Sequence, residues 1–293
     1  MKRVLLFASE SQFTKEIIYF LIANRFSVHV FTLTPFKSKE EFICTTPLQL
    51  TVSIVNLANY YNWKHDVVKY DIVINTLTYE DFKNTTNQNS VFTNFTHYFS
   101  DSTKQSGVKV IYLSSTDVSK MVNDAENAML KVNPDIFYVK YSFIIEYKSS
   151  FLHSILASRT LLISKQVLRS KIRITAMNDI EECILSILHA EYRAQKTIIA
   201  GEVFAISDII SLTTKYLPKK IIKVPHFLLI TISFLLSFLP ITFIRCYLKK
   251  KCIAKILSTK YEIPSGYIRY QNHTLLSSIV EKHAHNLHMP RIE

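Results

Sequence analysis

Apolar residues along this chain alternate between short continuous runs and stretches where they recur every three or four positions. Arg3-Val4-Leu5-Leu6-Phe7 is a run of the first kind, and Ala8 to Phe13 after it is a small, polar turn. From Thr14 to Asn24, Ile17, Ile18, Leu21 and Ile22 fall on one helical face, and Val28 to Phe31 is apolar and β-branched again. The pattern predicts strand, turn, helix, strand. Leu50–Val55, Asp71–Thr76, Val108–Ser115 and Asp135–Lys140 predict four further strands. Between them, Asn84–Gln105 is polar and then helical, with Phe92, Phe95, Tyr98 and Phe99 as a stripe whose spacing suits core packing. Gly107 stands where a helix ends, and Lys120–Val132 predicts the next helix. Strands alternating with helices imply a doubly wound parallel α/β sheet, whose ligands sit beyond the carboxyl ends of its strands. Here that place is over Ala8–Phe13.

The second half is less regular. Lys171–Ile184 reads as a strand and a helix start, with Asn178-Asp179 as an N-cap pair for a helix to His189. Phe204–Tyr216 predicts an amphipathic helix, and Lys220–Val224 a short strand closed by Pro225. The expected division is a domain over 1–145 and a smaller C-terminal α/β lobe over 146–293. Pro225–Ile244 is the most hydrophobic stretch, uncharged from His226 onward, and about as long as the ~20 residues that cross a bilayer. Pro240 interrupts it, and basic residues flank it on both sides (Lys219, Lys220 and Lys223; Arg245, Lys249, Lys250 and Lys251). A lobe helix, an interfacial helix and a membrane span all remain open.

Charge sharpens that reading. The formal charge of +12 is concentrated between Ile209 and Tyr261, where ten Lys or Arg meet no Asp or Glu. Such a field suits an anionic membrane surface or an acidic partner, or forms a solvated face. At 48% hydrophobic and 12% aromatic residues the chain is a folded one. The four cysteines, Cys44, Cys183, Cys246 and Cys252, form no C-x-x-C unit and read as reduced thiols in a cytosol-like compartment. Met1-Lys2-Arg3 and five apolar residues are too short for a signal peptide. His283, His285 and His288 do not share one helical face, so no metal site is expected. No helix-turn-helix, zinc or RNA-binding signature is present, so no nucleic-acid partner is expected.

Several short matches resemble the extended short-chain dehydrogenase/reductase superfamily with its NAD(P)-binding Rossmann fold. The family's G-x-x-G-x-x-G turn falls on Ala8, Ser11 and Thr14, its D-V-V-I-N run on Asp71–Asn75, and its serine beside the substrate carbonyl on Ser114. Asp135–Lys140 resembles W-T-I-L-R-P, with Lys140 and Tyr141 in the Arg-Pro places, and Asn56-Leu57 stands where Asp-Leu lies beside the adenine. Lys37 or Lys39 could stand for the arginine of NADP enzymes, and Thr197–Val203 resembles the family's strand ending in Gly-Gly, which implies one strand there. The resemblance implies a dinucleotide site at Ala8, Ser9, Ser11, Gln12 and Phe13. Asn56, Leu57, Thr76, Leu77, Ser114 and Lys140 complete it. The three glycines are missing, so NADP(H) is expected to bind weakly or not at all. The Tyr-x-x-x-Lys pair falls on Lys120 and Asp124, and no tyrosine lies between Leu113 and Phe137. No catalytic turnover is therefore expected, and no catalytic residue is assigned.

Within the superfamily the chain looks most like the Rossmann-fold accessory subunit of respiratory complex I. That resemblance implies a non-catalytic accessory or assembly role. Its partners would be subunits of a membrane-bound respiratory complex. It would sit peripherally on the cytoplasmic side of the inner membrane, or the matrix side of a mitochondrion. An active reductase or epimerase with displaced catalytic groups, and a free-standing NADP-sensing regulator, remain the alternatives.

Overall fold

A computed structural model describes residues 1–35, 49–57, 59–85, 87–115, 119–144, 160–189, 197–199, 201–216, 220–225 and 268–269. It opens with β1 (Arg3–Phe7), α1 (Gln12–Ala23), β2 (Ser27–Thr32) and β3 (Leu50–Ile54). β4 (Ile72–Asn75), α2 (Gln88–Ser106), β5 (Lys109–Ser115), α3 (Lys120–Val132) and β6 (Phe137–Tyr141) follow. Next come β7 (Phe143–Ile144), β8 (Thr160–Ile163), α4 (Lys165–Arg169), β9 (Lys171–Thr175) and α5 (Met177–Leu188). The last are β10 (Thr197–Ile199), β11 (Glu202–Ala205), α6 (Ile206–Tyr216), β12 (Lys220–Lys223) and β13 (Ile268–Arg269).

The main sheet runs β13-β10-β6-β5-β4-β1-β2-β3. β1 pairs in parallel with β2 and with β4, and β2–β3, β4–β5 and β6–β10 are parallel too. Strand order reverses at β1, between β2 and β4, which makes the topological switch point of a doubly wound sheet, as the sequence pattern predicts. β1 is covered on both faces, with Val4 to Phe7 fully buried. Phe7 is the hub of one layer: Phe31, Trp63, Phe95 and Phe99 meet its ring edge-on at centroid distances of 5.2–5.8 Å. The predicted aromatic stripe thus packs inward through Phe92, Phe95 and Phe99, while Tyr98 stacks on Tyr60. Each fully buried Phe contributes about 1.5–3 kcal/mol relative to an exposed one. α2 ends at Gly107 in the left-handed region, φ 64°, the conformation that favours glycine at a helix stop. His29 of β2 joins neighbouring elements through Nε2 to Ser53 Oγ on β3, 2.8 Å, and through Nδ1 to the Tyr70 hydroxyl.

Two compact units divide the chain. The first is Met1–Lys140 with Glu181–Ile199 and Gly266–Ile268; the second is Tyr141–Ile180, Ala200–Ser265 and Arg269–Glu293. The chain therefore passes between units several times, where the sequence suggests one boundary at 145. The second unit holds a sheet of β11-β9-β7 and the pair β12-β8.

Three boundaries differ from the pattern-based reading. Thr197–Val203 is two strands in two sheets, parted at Gly201 (φ 98°), where an added Cβ would come within 2.4 Å of the Ile174 carbonyl oxygen. Phe204 and Ala205 accordingly end β11 by pairing with β9, and α6 starts at Ile206. α5 begins at Met177, so Asn178 and Asp179 lie inside its first turn; Asp179 Oδ2 reaches back to accept from Ala176 N, 3.4 Å. Residues 226–244 of the apolar run, Lys37, Lys39, three of the cysteines and the histidine group lie outside the described residues. Among the described residues no helix is long and apolar enough to cross a membrane. The remaining cysteine, Cys183, is fully buried, and burial pushes its thiol up to about 12.

Candidate functional site

Beyond the carboxyl ends of β1 and β4 the chain makes two adjoining turns, Ala8–Ser11 and Thr76–Thr78. Ala8 N donates to Phe31 O, 3.0 Å, and Thr76 donates to Phe7 O from its amide, 2.9 Å, and its hydroxyl, 3.2 Å. These bonds fix both turns to the sheet. Ala8 and Thr14 are buried, and Ser11 is half-buried. Ser11 is the N-cap of α1, accepting from Thr14 N at 3.1 Å. One orphan donor of the first helical turn is thus already taken by the chain.

Asp81 is the residue that sequence reasoning missed here. It sits in a single 3-10 turn, Tyr79–Phe82, after β4. Its Oδ2 accepts from Thr78 N, 2.7 Å, and Thr78 Oγ1, 2.9 Å, while Oδ1 accepts from Ser9 Oγ, 2.5 Å. The spacing Thr78-x-x-Asp81 is a readable capping signal. Its bond to Ser9, 72 positions away, has no sequence signal. Glu10 adds a second acidic residue in the same turn.

The other expected cofactor residues separate. Leu57 is fully buried, with its carbonyl accepting from Trp63 Nε1 at 3.3 Å, so it is core rather than an adenine wall. Asn56 and Gln12 are exposed, and Phe13 and Leu77 are buried. Fully buried Asn75, the end of the D-V-V-I-N-like run, donates to Leu77 O at 3.1 Å, and its Oδ1 has no hydrogen-bond partner.

Ser114 and Lys140 belong to a second group, at the ends of β5 and β6. Buried Glu126 on α3 accepts from Ser114 Oγ, 2.6 Å, and from the Tyr138 hydroxyl. α3 places it there because Val122, Ala125, Glu126 and Met129 form its inward face. Lys140 Nζ donates to Asn123 Oδ1, 3.2 Å, and lies 5.1 Å from the Tyr138 ring centroid. Burial raises the Glu126 carboxyl above its ordinary value, opposed by the two hydroxyl donors and the Lys140 charge. Burial and the Glu126 carboxylate push the Tyr138 phenol far above its usual range. Burial lowers Lys140, partly offset by Glu126. Lys120 and Asp124, the positions of the missing pair, are both exposed. The group can hold protons, but its phenol is tuned away from releasing one.

No protein-family model matches the sequence, and no curated protein matches it. Solved structures do match in three dimensions. A nucleoside-diphosphate-sugar epimerase from Staphylococcus aureus superposes with a TM-score of 0.63 at 12% identity, covering 95% of this chain and 99% of the epimerase. The pinoresinol-lariciresinol and phenylcoumaran benzylic ether reductases give 0.64 at 13% identity, covering 96% of this chain and 99% of theirs. The chain shares the Rossmann-type fold of these enzymes. A dTDP-glucose 4,6-dehydratase from Bacillus anthracis, solved in complex with NAD, also matches, with a TM-score of 0.57 at 11% identity over 76% of this chain and 84% of the dehydratase.

Proposed function

We propose that the protein is a non-catalytic Rossmann-type scaffold serving as an accessory or assembly subunit of a membrane-bound respiratory NADH:quinone oxidoreductase. The observation that carries the non-catalytic half is the state of the reaction position. The Ser114 and Tyr138 hydroxyls both donate to Glu126, so both protons are engaged within the fold. Carbonyl reduction in this fold needs a hydroxyl whose pKa is lowered by a neighbouring cation. Tyr138 has the reverse setting, a buried carboxylate at its oxygen. The turn Ala8–Ser11 fits a dinucleotide poorly, because side chains stand where a pyrophosphate needs bare backbone, so NADP(H) binds weakly or not at all. The partner half rests on the sequence resemblance and on the apolar run joined to ten basic residues within 209–261. That segment suits a peripheral position on the cytoplasmic or matrix face of the membrane. The test is affinity purification of the tagged full chain from its native membrane. Subunits of the respiratory complex should copurify; a chain that emerges soluble and alone overturns the proposal.

One observation favours a second reading, an active NAD(P)-dependent reductase or epimerase. An epimerase and benzylic ether reductases match most of the chain, as does the B. anthracis dehydratase with NAD, and a serine stands at 114. Cofactor-dependent turnover of a carbonyl or nucleotide-sugar substrate that disappears in Ser114→Ala would establish it.

A further inference from the structure

We propose that the Asp81 carboxylate takes the place of a dinucleotide phosphate, so that the chain supplies its own anion to the turn at the switch point. Three observations converge on this. The turn Ala8–Ser11 lies between the carboxyl end of β1 and the start of α1, where this fold receives a pyrophosphate. Asp81 reaches that turn from the segment after β4, the strand next to β1, and holds Ser9 Oγ at 2.5 Å. Its other oxygen is held by the amide and hydroxyl of Thr78, so the carboxylate is fixed at both oxygens. All three donors are uncharged, and among the described residues no cation is paired with the carboxylate. Ser11 supplies a matching internal acceptor at the helix start, binding Thr14 N.

The consequence is specificity by charge. A phosphate seated over the turn would meet a fixed, half-buried carboxylate, where like charges interact more strongly than in bulk water. The absent glycines add crowding, but Ala and Ser are small. Asp81 therefore adds a charge barrier to the crowding of the missing glycines, and removing its charge strengthens binding to the phosphates.

Titration calorimetry of the full chain with NADPH, and separately with inorganic pyrophosphate, tests this on wild type, Asp81→Asn and Asp81→Ser. Both variants keep an oxygen acceptor for the Thr78 amide and lose the charge. At low ionic strength at least one folded variant should bind NADPH and pyrophosphate roughly tenfold more tightly than wild type, ~1.4 kcal/mol. The gain should shrink as salt screens the wild-type repulsion. Submicromolar NADPH binding by wild type overturns the proposal. So does unchanged affinity in every variant that keeps the wild-type unfolding midpoint. The measurement involves no partner protein, so its outcome is separate from that of the copurification.

Discussion

Glu126 concentrates several opposing effects in one side chain. Its folded carboxyl is raised above the unfolded value of 4.5, so the folded state binds the proton more tightly. The resulting stability is present below about pH 4.5 and is lost as pH rises through the folded value. Glu126→Gln should therefore gain on wild type as pH rises toward neutral, read as the difference in urea midpoint between the two proteins. Glu126→Ala is another matter. It strips the acceptor from two buried hydroxyls and leaves a void, and should cost about 2–5 kcal/mol in urea unfolding at neutral pH.

At the scale of elements, two of the three glycines do different work. Gly107 has φ 64° with open space around its would-be Cβ, so Gly107→Ala should cost only the left-handed strain, about 1 kcal/mol. Gly201 combines φ 98° with the contact at 2.4 Å to Ile174 O, so Gly201→Ala should cost more, about 2–4 kcal/mol. Thermal unfolding of the pair checks the ranking. The His29 bridge between strands predicts a pH response of opposite sign to that of Glu126. Burial lowers His29 below 6.5, against the raising field of Asp66. The unfolded chain takes up the proton first, so stability is full above about pH 6.5 and is lost as pH falls through the folded value. Urea midpoints at mildly acidic and neutral pH should differ less in His29→Gln than in wild type.

For the whole molecule, the proposed membrane attachment joins two forces with different salt responses. Each Lys or Arg near an anionic surface contributes about 1 kcal/mol, screened over a Debye length of roughly 8 Å. Apolar burial by Phe227, Leu228, Leu235, Phe238 and Leu239 would not be screened. The native protein should stay on membranes in moderate salt and leave with high salt plus carbonate. Changing Lys249, Lys250 and Lys251 to Glu should release it in moderate salt. A wholly soluble wild type defeats the attachment and places the apolar run with the second unit's own packing.

Local pattern was enough to read six strands of the main sheet. β1 to β6, α2 with its glycine stop, and α3 from Lys120 to Val132 were legible because burial on one face leaves a period, and caps leave a residue type. What the period could not reveal were contacts made across the fold. Nothing in Thr197–Val203 marks the change of sheet at Gly201 except a glycine whose necessity comes from the Ile174 carbonyl opposite. Leu57 was placed at a ligand by position along the chain, while the aromatic layer around Trp63 claims it as core. Ser9 with Asp81, and Ser114 with Glu126 and Tyr138, come from elements distant in sequence, and each polar side chain is paired because burial makes an unpaired one costly. The sequence by itself determined the alternation of strands and helices from β1 to β6. Only the tertiary structure decided which carboxylates pair with Ser9, Ser114 and Tyr138, since hydrogen-bond pairing is settled by proximity in space and leaves no period along the chain.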